Sequence, residues 1–369
     1  MTGFGYNLMG MGNVIAGVEP VAQAIAIGTT KTPFISAFRW DNTAGFGNEI
    51  DTPASLPPGK VRGVAFSPAG TEIIMVGESS PYVTAYAWST AGFGAKFDNP
   101  GTLPGATLDT VAFSPDGNFV AMGGTDAVAQ SNGIMVYPWS SSGFGSAVSA
   151  ASGGDYDASY HTGITWAPGS DYIGITIAAG FSVWPWSASG FGTYISSPSF
   201  HPSADGVGEN SGPSTRHGLA FSPSNEEIVV LSPGGNEIDA WNWNQGSYGS
   251  LFDASSVTKP GGVPNTLAFS PNGNFVAVGS SHSPFLQVYA LGTGGWSEKE
   301  DNPSEAVHGQ VRSVCFSDDN AILFVGGQES PFLEAYAWSA SGFGSKYSDP
   351  THSLDDHSAQ GIAFNHDLA

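Results

Sequence analysis

The chain has 369 residues, of which only 11% are charged, and its 32 acidic and 10 basic residues give a net charge of −22. So acidic a surface repels phosphate backbones and anionic headgroups, which argues against nucleic acid and membrane surfaces as partners. The 51 glycines, 25 prolines and 12% aromatic residues indicate many short strands joined by tight turns.

The chain begins with a glycine-rich segment that has neither a strand nor a helix pattern. We interpret residues 1–20 as an N-terminal arm and residues 21–369 as a single repetitive domain. The arm lacks the basic and continuous apolar segments of a secretion signal, so no classical secretion is expected. No segment is apolar for the length that a membrane span requires, so no membrane insertion is expected. Apolar runs at 22–28, 33–40 and 46–50 then predict three strands.

Residues 61–97 show one complete structural unit. A short strand at 61–66 is followed by a Ser-Pro-Ala-Gly turn and a continuous apolar strand at 73–77. In the third strand, large Tyr82, Tyr86 and Trp88 alternate with small residues, so the two faces differ in size. A second turn leads to a fourth strand at 93–97. The pattern predicts a four-stranded antiparallel sheet.

This unit recurs along the chain at a spacing of about 47 residues. Its first strand contains a marker aromatic residue, which is Phe66, Phe113, Trp166, Phe221, Phe269, Phe316 or Phe364. Its third strand ends with a tryptophan in six units, Trp40, Trp88, Trp139, Trp186, Trp243 and Trp338, and with Leu291 in the other. A glycine-flanked phenylalanine follows at Phe93, Phe144, Phe191 and Phe343, with Phe46, Tyr248 and Trp296 as variants.

Seven such sheets predict an all-β fold, a seven-bladed β-propeller of four-stranded antiparallel blades. One sheet cannot cover both of its faces, whereas a ring of seven can. Because the tryptophans and glycine-flanked phenylalanines recur in every blade, we interpret them as residues that pack the blades together. A functional site would instead be local.

The turns Phe-Ser-Pro-Asp-Gly-Asn at 113–118 and Phe-Ser-Pro-Asn-Gly-Asn at 269–274 resemble WD40-type propellers. Only Trp40-Asp41 gives a Trp-Asp pair, and His308 lies near the position of that family's Gly-His motif. The segments 80–97 and 330–347 resemble repeats of predicted virion or tail-associated proteins of tailed bacteriophages. That second resemblance implies a virion location, with the cytoplasm as the alternative.

Residues 361–365 match the first strand of the repeat unit, and no second, third or fourth strand follows them in the sequence. We expect this strand to close the ring by joining the three strands near the N-terminus. A competing closure uses a degenerate first strand at 14–18, which would leave spare strands at both ends for pairing with another subunit. We favour closure by the C-terminal strand because Phe364 keeps the marker aromatic residue.

Two connections between blades are longer than the others, at 149–160 and 196–215, and they should lie on one face. Loops on rigid scaffolds often carry function. We therefore name their polar residues as a candidate binding surface for a cation or a sugar, with functionless loop variation as the alternative. These residues are Asp155, Tyr156, Asp157, Tyr160, His161, His201, Asp205 and Glu209.

No catalytic motif and no metal-binding motif stands out, so we expect no cofactor, no metal and no enzymatic activity. The favoured function is a structural or binding propeller of a bacteriophage virion, with other virion subunits or a host-surface molecule as protein partners. Homo-oligomers could form through the termini. A general protein-interaction scaffold is the alternative. A channel-site hydrolase or lactonase is ranked last, because the first strands carry mostly small apolar residues, with Arg62, Arg216 and Arg312 as the notable charges.

Overall fold

The computed structural model describes residues 23–124, 134–148, 161–177, 180–196, 198, 218–232, 237–252, 257–292, 295–351, 354 and 358–365. These residues form seven four-stranded antiparallel sheets, which we call blades 1 to 7 in order around the ring. The described part of the chain contains no helix, and therefore none that could cross a membrane.

The strands of blades 1 to 4 have the following bounds. Blade 1 contains β1 (Ala24–Thr29), β2 (Ile35–Asp41), β3 (Gly45–Glu49) and the C-terminal β28 (Ala359–Asn365). Blade 2 contains β4 (Val61–Phe66), β5 (Glu72–Gly77), β6 (Val83–Ser89) and β7 (Gly92–Lys96). Blade 3 contains β8 (Thr110–Phe113), β9 (Phe119–Gly123), β10 (Ile134–Ser140) and β11 (Gly143–Phe144). Blade 4 contains β12 (His161–Trp166), β13 (Tyr172–Ile177), β14 (Gly180–Ser187) and β15 (Gly190–Phe191).

The other three blades follow the same order. Blade 5 contains β16 (Leu219–Phe221), β17 (Glu227–Ser232), β18 (Glu237–Trp243) and β19 (Tyr248–Phe252). Blade 6 contains β20 (Pro264–Phe269), β21 (Phe275–Ser280), β22 (Leu286–Gly292) and β23 (Gly295–Lys299). Blade 7 contains β24 (Val311–Phe316), β25 (Ile322–Gly327), β26 (Leu333–Ser339) and β27 (Gly342–Lys346). The predicted fold class, a seven-bladed propeller, is confirmed.

The C-terminal strand closes the ring. β28 pairs with β1 in an antiparallel register that runs from Ala24 opposite Asn365 to Gly28 opposite Gly361. The predicted closure is confirmed, because this pairing occupies the edge of β1 that a first strand at 14–18 would need. Residues 14–18 and the proposed arm at 1–20 lie outside the described residues, so the division into arm and domain stays a prediction.

The repeated tryptophans lie where one blade packs on the next. Trp40 of blade 1 contacts Phe324 and Tyr347 of blade 7, with ring centroids 4.6 and 5.0 Å apart. A similar contact between blades joins Trp186 to Phe119 of the preceding blade, with ring centroids 5.2 Å apart. Further ring contacts between neighbouring blades join Trp139 to Phe97, Trp243 to Tyr172 and Trp338 to Phe275. Edge-to-face contacts of this kind add stability beyond burial alone.

The glycine-flanked phenylalanines each pack edge-on against the tryptophan of their own blade. The centroid distances are 4.9 Å for Phe93 with Trp88, 4.9 Å for Phe144 with Trp139, 4.8 Å for Phe191 with Trp186 and 5.0 Å for Phe343 with Trp338. The buried Trp88 belongs to the apolar cluster between blades 1 and 2. These contacts support, at each of these positions, the interpretation of the repeated aromatic residues as packing residues.

Candidate functional site

The first strand of each blade is innermost, and these strands surround the central channel. Four residues before each marker aromatic residue, the sequence has a polar residue in all seven blades. We call this set the channel ring: Arg62, Asp109, Thr162, His217, Asn265, Arg312 and Gln360. His217 and the side chain of Thr162 lie outside the described residues.

A break in strand pairing falls at the ring position in five blades. In β4, Val61 and Gly63 pair with consecutive residues of β5, so Arg62 is the extra, bulged residue. The same shift skips Thr162 in β12, Asn265 in β20, Arg312 in β24 and Gln360 in β28. A bulge redirects a side chain that regular pairing would place against a neighbouring sheet. Three of the bulged residues, Arg62, Asn265 and Arg312, line the central channel.

Small residues directly after the ring position let the first strands approach one another. A Cβ atom added to Gly361 would lie 2.8 Å from the backbone oxygen of Arg62. One added to Gly63 would lie 3.1 Å from the backbone oxygen of Asp109. This close approach brings polar ring residues of different blades around one cavity.

The cavity in the channel has a volume of about 180 Å³ and is lined by residues from all seven blades. The ring side chains that line it are Arg62, Asp109, Asn265 and Arg312. Its apolar lining residues are Val64, Val111, Ile164, Leu219 and Leu267. Charged and amide groups thus converge on a concave and mainly polar space, and convergent polar groups in a concavity are a feature of small-molecule sites.

Arg62 joins two carboxylates at the channel. Its Nη1 lies 2.8 Å from Oδ1 of Asp109, a side chain that is 4% exposed, and its Nη2 lies 2.6 Å from Oε1 of Glu78. Lys60 lies 3.3 Å from the other oxygen of Glu78. Burial alone would raise the pKa of Glu78, but the hydrogen bonds and charges of Arg62 and Lys60 outweigh it and lower that pKa. Arg62 is therefore fixed in position by its carboxylate partners.

Arg312 brings a second guanidinium to the same cavity. Its Nη2 donates a hydrogen bond of 2.9 Å to Oε1 of Gln328. Burial, and after it the positive charge of Arg62, lowers the pKa of Arg312. The two guanidinium groups are therefore close enough to repel each other, and a ligand oxygen with negative charge would relieve that repulsion.

Asn265 is 1% exposed and lies beside Arg312. Its Nδ2 donates a hydrogen bond of 2.9 Å to the backbone oxygen of Val311, the residue before Arg312. Its Oδ1 has no hydrogen-bond partner among the described residues. Together the ring offers guanidinium donors for a carbonyl oxygen and a carboxylate that can accept a proton.

The candidate surface predicted on the long loops is not described. Asp155, Tyr156, Asp157, Tyr160, His201, Asp205 and Glu209 lie outside the described residues, as does Arg216. The backbone of His161 begins β12, but its side chain is not described. That surface stays a prediction.

Sequence analysis named Arg62 and Arg312 but missed the ring to which they belong. The signal was available, because the position four residues before the marker aromatic residue is polar in every blade. It was overlooked because each first strand was judged by its average composition, which is apolar, rather than by one register position compared across blades.

Comparison with known proteins gives one matching family model, described as WD domain, G-beta repeat, over residues 255–283. The chain carries a WD40-type repeat. This agrees with the resemblance drawn from the turns of blades 3 and 6. No curated protein matches the chain.

Solved structures similar to the chain cover nearly all of it. A periplasmic gluconolactonase from Pseudomonas aeruginosa has a TM-score of 0.66 and 16% identity, with 94% of this chain and 99% of that chain covered. Two proteins provisionally named 6-phosphogluconolactonase are similar as well. The one from Bacteroides fragilis has a TM-score of 0.69, 12% identity and coverage of 93% and 98%. The one from Bacteroides uniformis has a TM-score of 0.67, 13% identity and coverage of 93% and 99%.

At these identities the likeness establishes the fold. It nevertheless contradicts the function expected from the sequence, because these similar propellers are named as lactonases and not as virion components. The expectations of a non-enzymatic bacteriophage structural protein and of no enzymatic activity are therefore wrong. A channel-site lactonase ranked last in the sequence analysis because the first strands are mostly small and apolar, whereas Arg62, Asp109 and Arg312 line one cavity at the channel.

Proposed function

We propose that the chain hydrolyses a sugar lactone in its central channel. The observation that carries the proposal is the convergence of Arg62, Asp109, Asn265 and Arg312, from four different blades, on one cavity at the central channel. The lactonase names of the similar propellers support the same reaction class.

Lactone hydrolysis makes specific demands on a site. The oxygen of a water molecule bonds to the carbonyl carbon, and the carbonyl oxygen gains negative charge. The ring carbon–oxygen bond then breaks, its oxygen takes a proton, and a hydroxy acid is released. Donors fixed around the carbonyl oxygen lower the barrier because they stabilise the charge as it develops.

The ring residues suit these demands. Arg312, with its pKa lowered by burial and by Arg62, offers N–H donors to the carbonyl oxygen. Asp109 can accept the proton of the attacking water. Arg62 is a positioning residue, because its 2.8 Å ion pair holds the Asp109 carboxylate.

The proposal is tested by following acid release from D-glucono-1,5-lactone and from its 6-phosphate. The chain should hydrolyse at least one of them faster than the spontaneous reaction. Arg312→Met should lower kcat/KM by about 100-fold, the size expected for loss of one oxyanion donor. Asp109→Asn should lower kcat more than it changes KM, since the lost group acts in the chemical step.

Arg39→Met is the matched control, because Arg39 is an exposed residue of β2 and does not line the channel cavity. It should leave kcat/KM unchanged, and the melting temperature of each variant shows that the fold is kept. If the chain hydrolyses neither lactone faster than buffer does, the proposal is wrong.

A further inference from the structure

A second cavity lies at the opposite end of blade 5 from the channel ring. The ring residues lie at the start of the first strands, whereas this cavity is formed by the turn that follows β16 and by the turn between β18 and β19. Its volume is about 390 Å³. It is lined by Asn225, Glu226, Glu227, Asn242, Trp243, Asn244 and Gln245.

The amide side chains of this cavity are a departure from the repeat. Blade 7 has Ala337, Ser339 and Ala340 where blade 5 has Asn242, Asn244 and Gln245. In blade 2 the corresponding residues are Ala87, Ser89 and Thr90. Packing between blades therefore does not require the amides, because other blades make the same turn with small side chains.

Two buried polar atoms of the cavity wall have no hydrogen-bond partner among the described residues. They are Oδ1 of Asn225, a residue 9% exposed, and Nε1 of Trp243, a residue 2% exposed. The Trp243 ring is held edge-to-face between Tyr172 and Tyr248, with centroids 5.3 Å away on both sides. The equivalent tryptophans Trp88, Trp186 and Trp338 also have an unpartnered Nε1, so this nitrogen is a feature of the repeat. The amide side chains of Asn225, Asn242, Asn244 and Gln245 are what distinguish the blade 5 cavity.

The chemistry of the wall selects the class of ligand. It has no Lys or Arg and two carboxylates, so a phosphate or a carboxylate ligand would be repelled. It has few apolar groups, so an apolar ligand would gain little. Its amides donate and accept and its two carboxylates accept, and the hydroxyl groups of a sugar both donate and accept. We propose that this cavity binds a neutral saccharide.

The test uses neutral monosaccharides (glucose, galactose, mannose and N-acetylglucosamine), each titrated into the full chain and followed by saturation-transfer NMR and calorimetry. At least one should bind. Asn225→Gly removes the side chain but keeps the backbone conformation, because Asn225 has a φ of 58° and Gly70, Gly117 and Gly273 occupy the equivalent turns at 66°, 72° and 74°. It should weaken binding about tenfold, as expected for loss of a buried hydrogen bond.

Asn320→Gly is the matched control. Asn320 occupies the same turn of blade 7 with a φ of 57° and the same unpartnered Oδ1, but its neighbours are the small residues named above. This variant should bind the saccharide as the original chain does, and so should the channel variant Arg312→Met.

Three results would overturn the inference: no monosaccharide binds, Asn225→Gly and Asn320→Gly change affinity equally, or Arg312→Met abolishes binding and so places the sugar in the channel. A calcium titration completes the test. Calcium binding that Asn225→Gly removes, without any saccharide binding, would assign the cavity to a cation instead.

Discussion

At the scale of single residues, the charged side chains at the channel are held in position by ion pairs with one another. Glu78 accepts from both Arg62 and Lys60, and Arg62 also binds the nearly buried Asp109. Removing one member of such a group leaves its partners partly buried without a counter-charge, which costs more than the pair contributes. The positions of the channel side chains and the stability of blade 2 therefore depend on the same contacts.

This linkage predicts a pH dependence. The pKa of Glu78 is lowered from 4.5 in the folded chain. Its ionic contribution to stability is therefore full above the unfolded pKa and is lost as pH falls through the lower folded value. Between neutral pH and pH values below 4.5, the melting temperature of the original chain should fall by more than that of Glu78→Gln. An equal fall in melting temperature for the two proteins over that pH range would contradict the prediction.

At the scale of secondary-structure elements, five of the seven first strands have a bulge at the ring position, and in β4, β12 and β28 a glycine follows it. The bulge releases the ring side chain, and the small residue lets the next strand approach. Gly361 in β28 shows the second requirement most clearly, because a Cβ there would lie 2.8 Å from a backbone oxygen of β4. Backbone cannot move aside as a flexible side chain can.

Gly361→Ala should therefore destabilise the chain by about 1–3 kcal/mol, the usual cost of overpacking. The measurement is the midpoint of urea unfolding. Gly101→Ala is the matched control, since a Cβ at Gly101 would meet nothing within 4 Å and the backbone there needs no positive φ. Equal midpoints for the two variants would show that β28 and β4 can separate without cost.

At the scale of the whole molecule, closure of the ring is a single pairing between the two ends of the chain. β28 supplies the marker aromatic residue Phe364, which stacks on Phe324 of blade 7 with centroids 5.0 Å apart. Without this strand, blade 1 would have three strands and blades 1, 2 and 7 would each lose part of their covered surface.

Deletion of residues 358–369 should therefore abolish cooperative unfolding. Differential scanning calorimetry would show a broad or absent transition in place of a single peak. An unchanged melting temperature would show instead that three strands suffice for blade 1. A shorter deletion of residues 366–369, which removes no part of β28, serves as the control and should leave the transition unchanged.

The sequence alone determined the architecture, because a marker aromatic residue, a tryptophan and a glycine-flanked ring recur in constant phase, and only a closed ring covers every sheet. It also predicted that β28 closes that ring, since Phe364 carries the marker. The sequence shows a polar residue at the same position of every first strand, but it does not show that these residues line one cavity. Arg62, Asp109 and Arg312 lie 47 to 250 residues apart in the chain, and each looks like one polar residue in an apolar strand. Only the tertiary structure brings them together, because bulges at Arg62 and Arg312 redirect those side chains and ring closure makes distant strands neighbours around one channel.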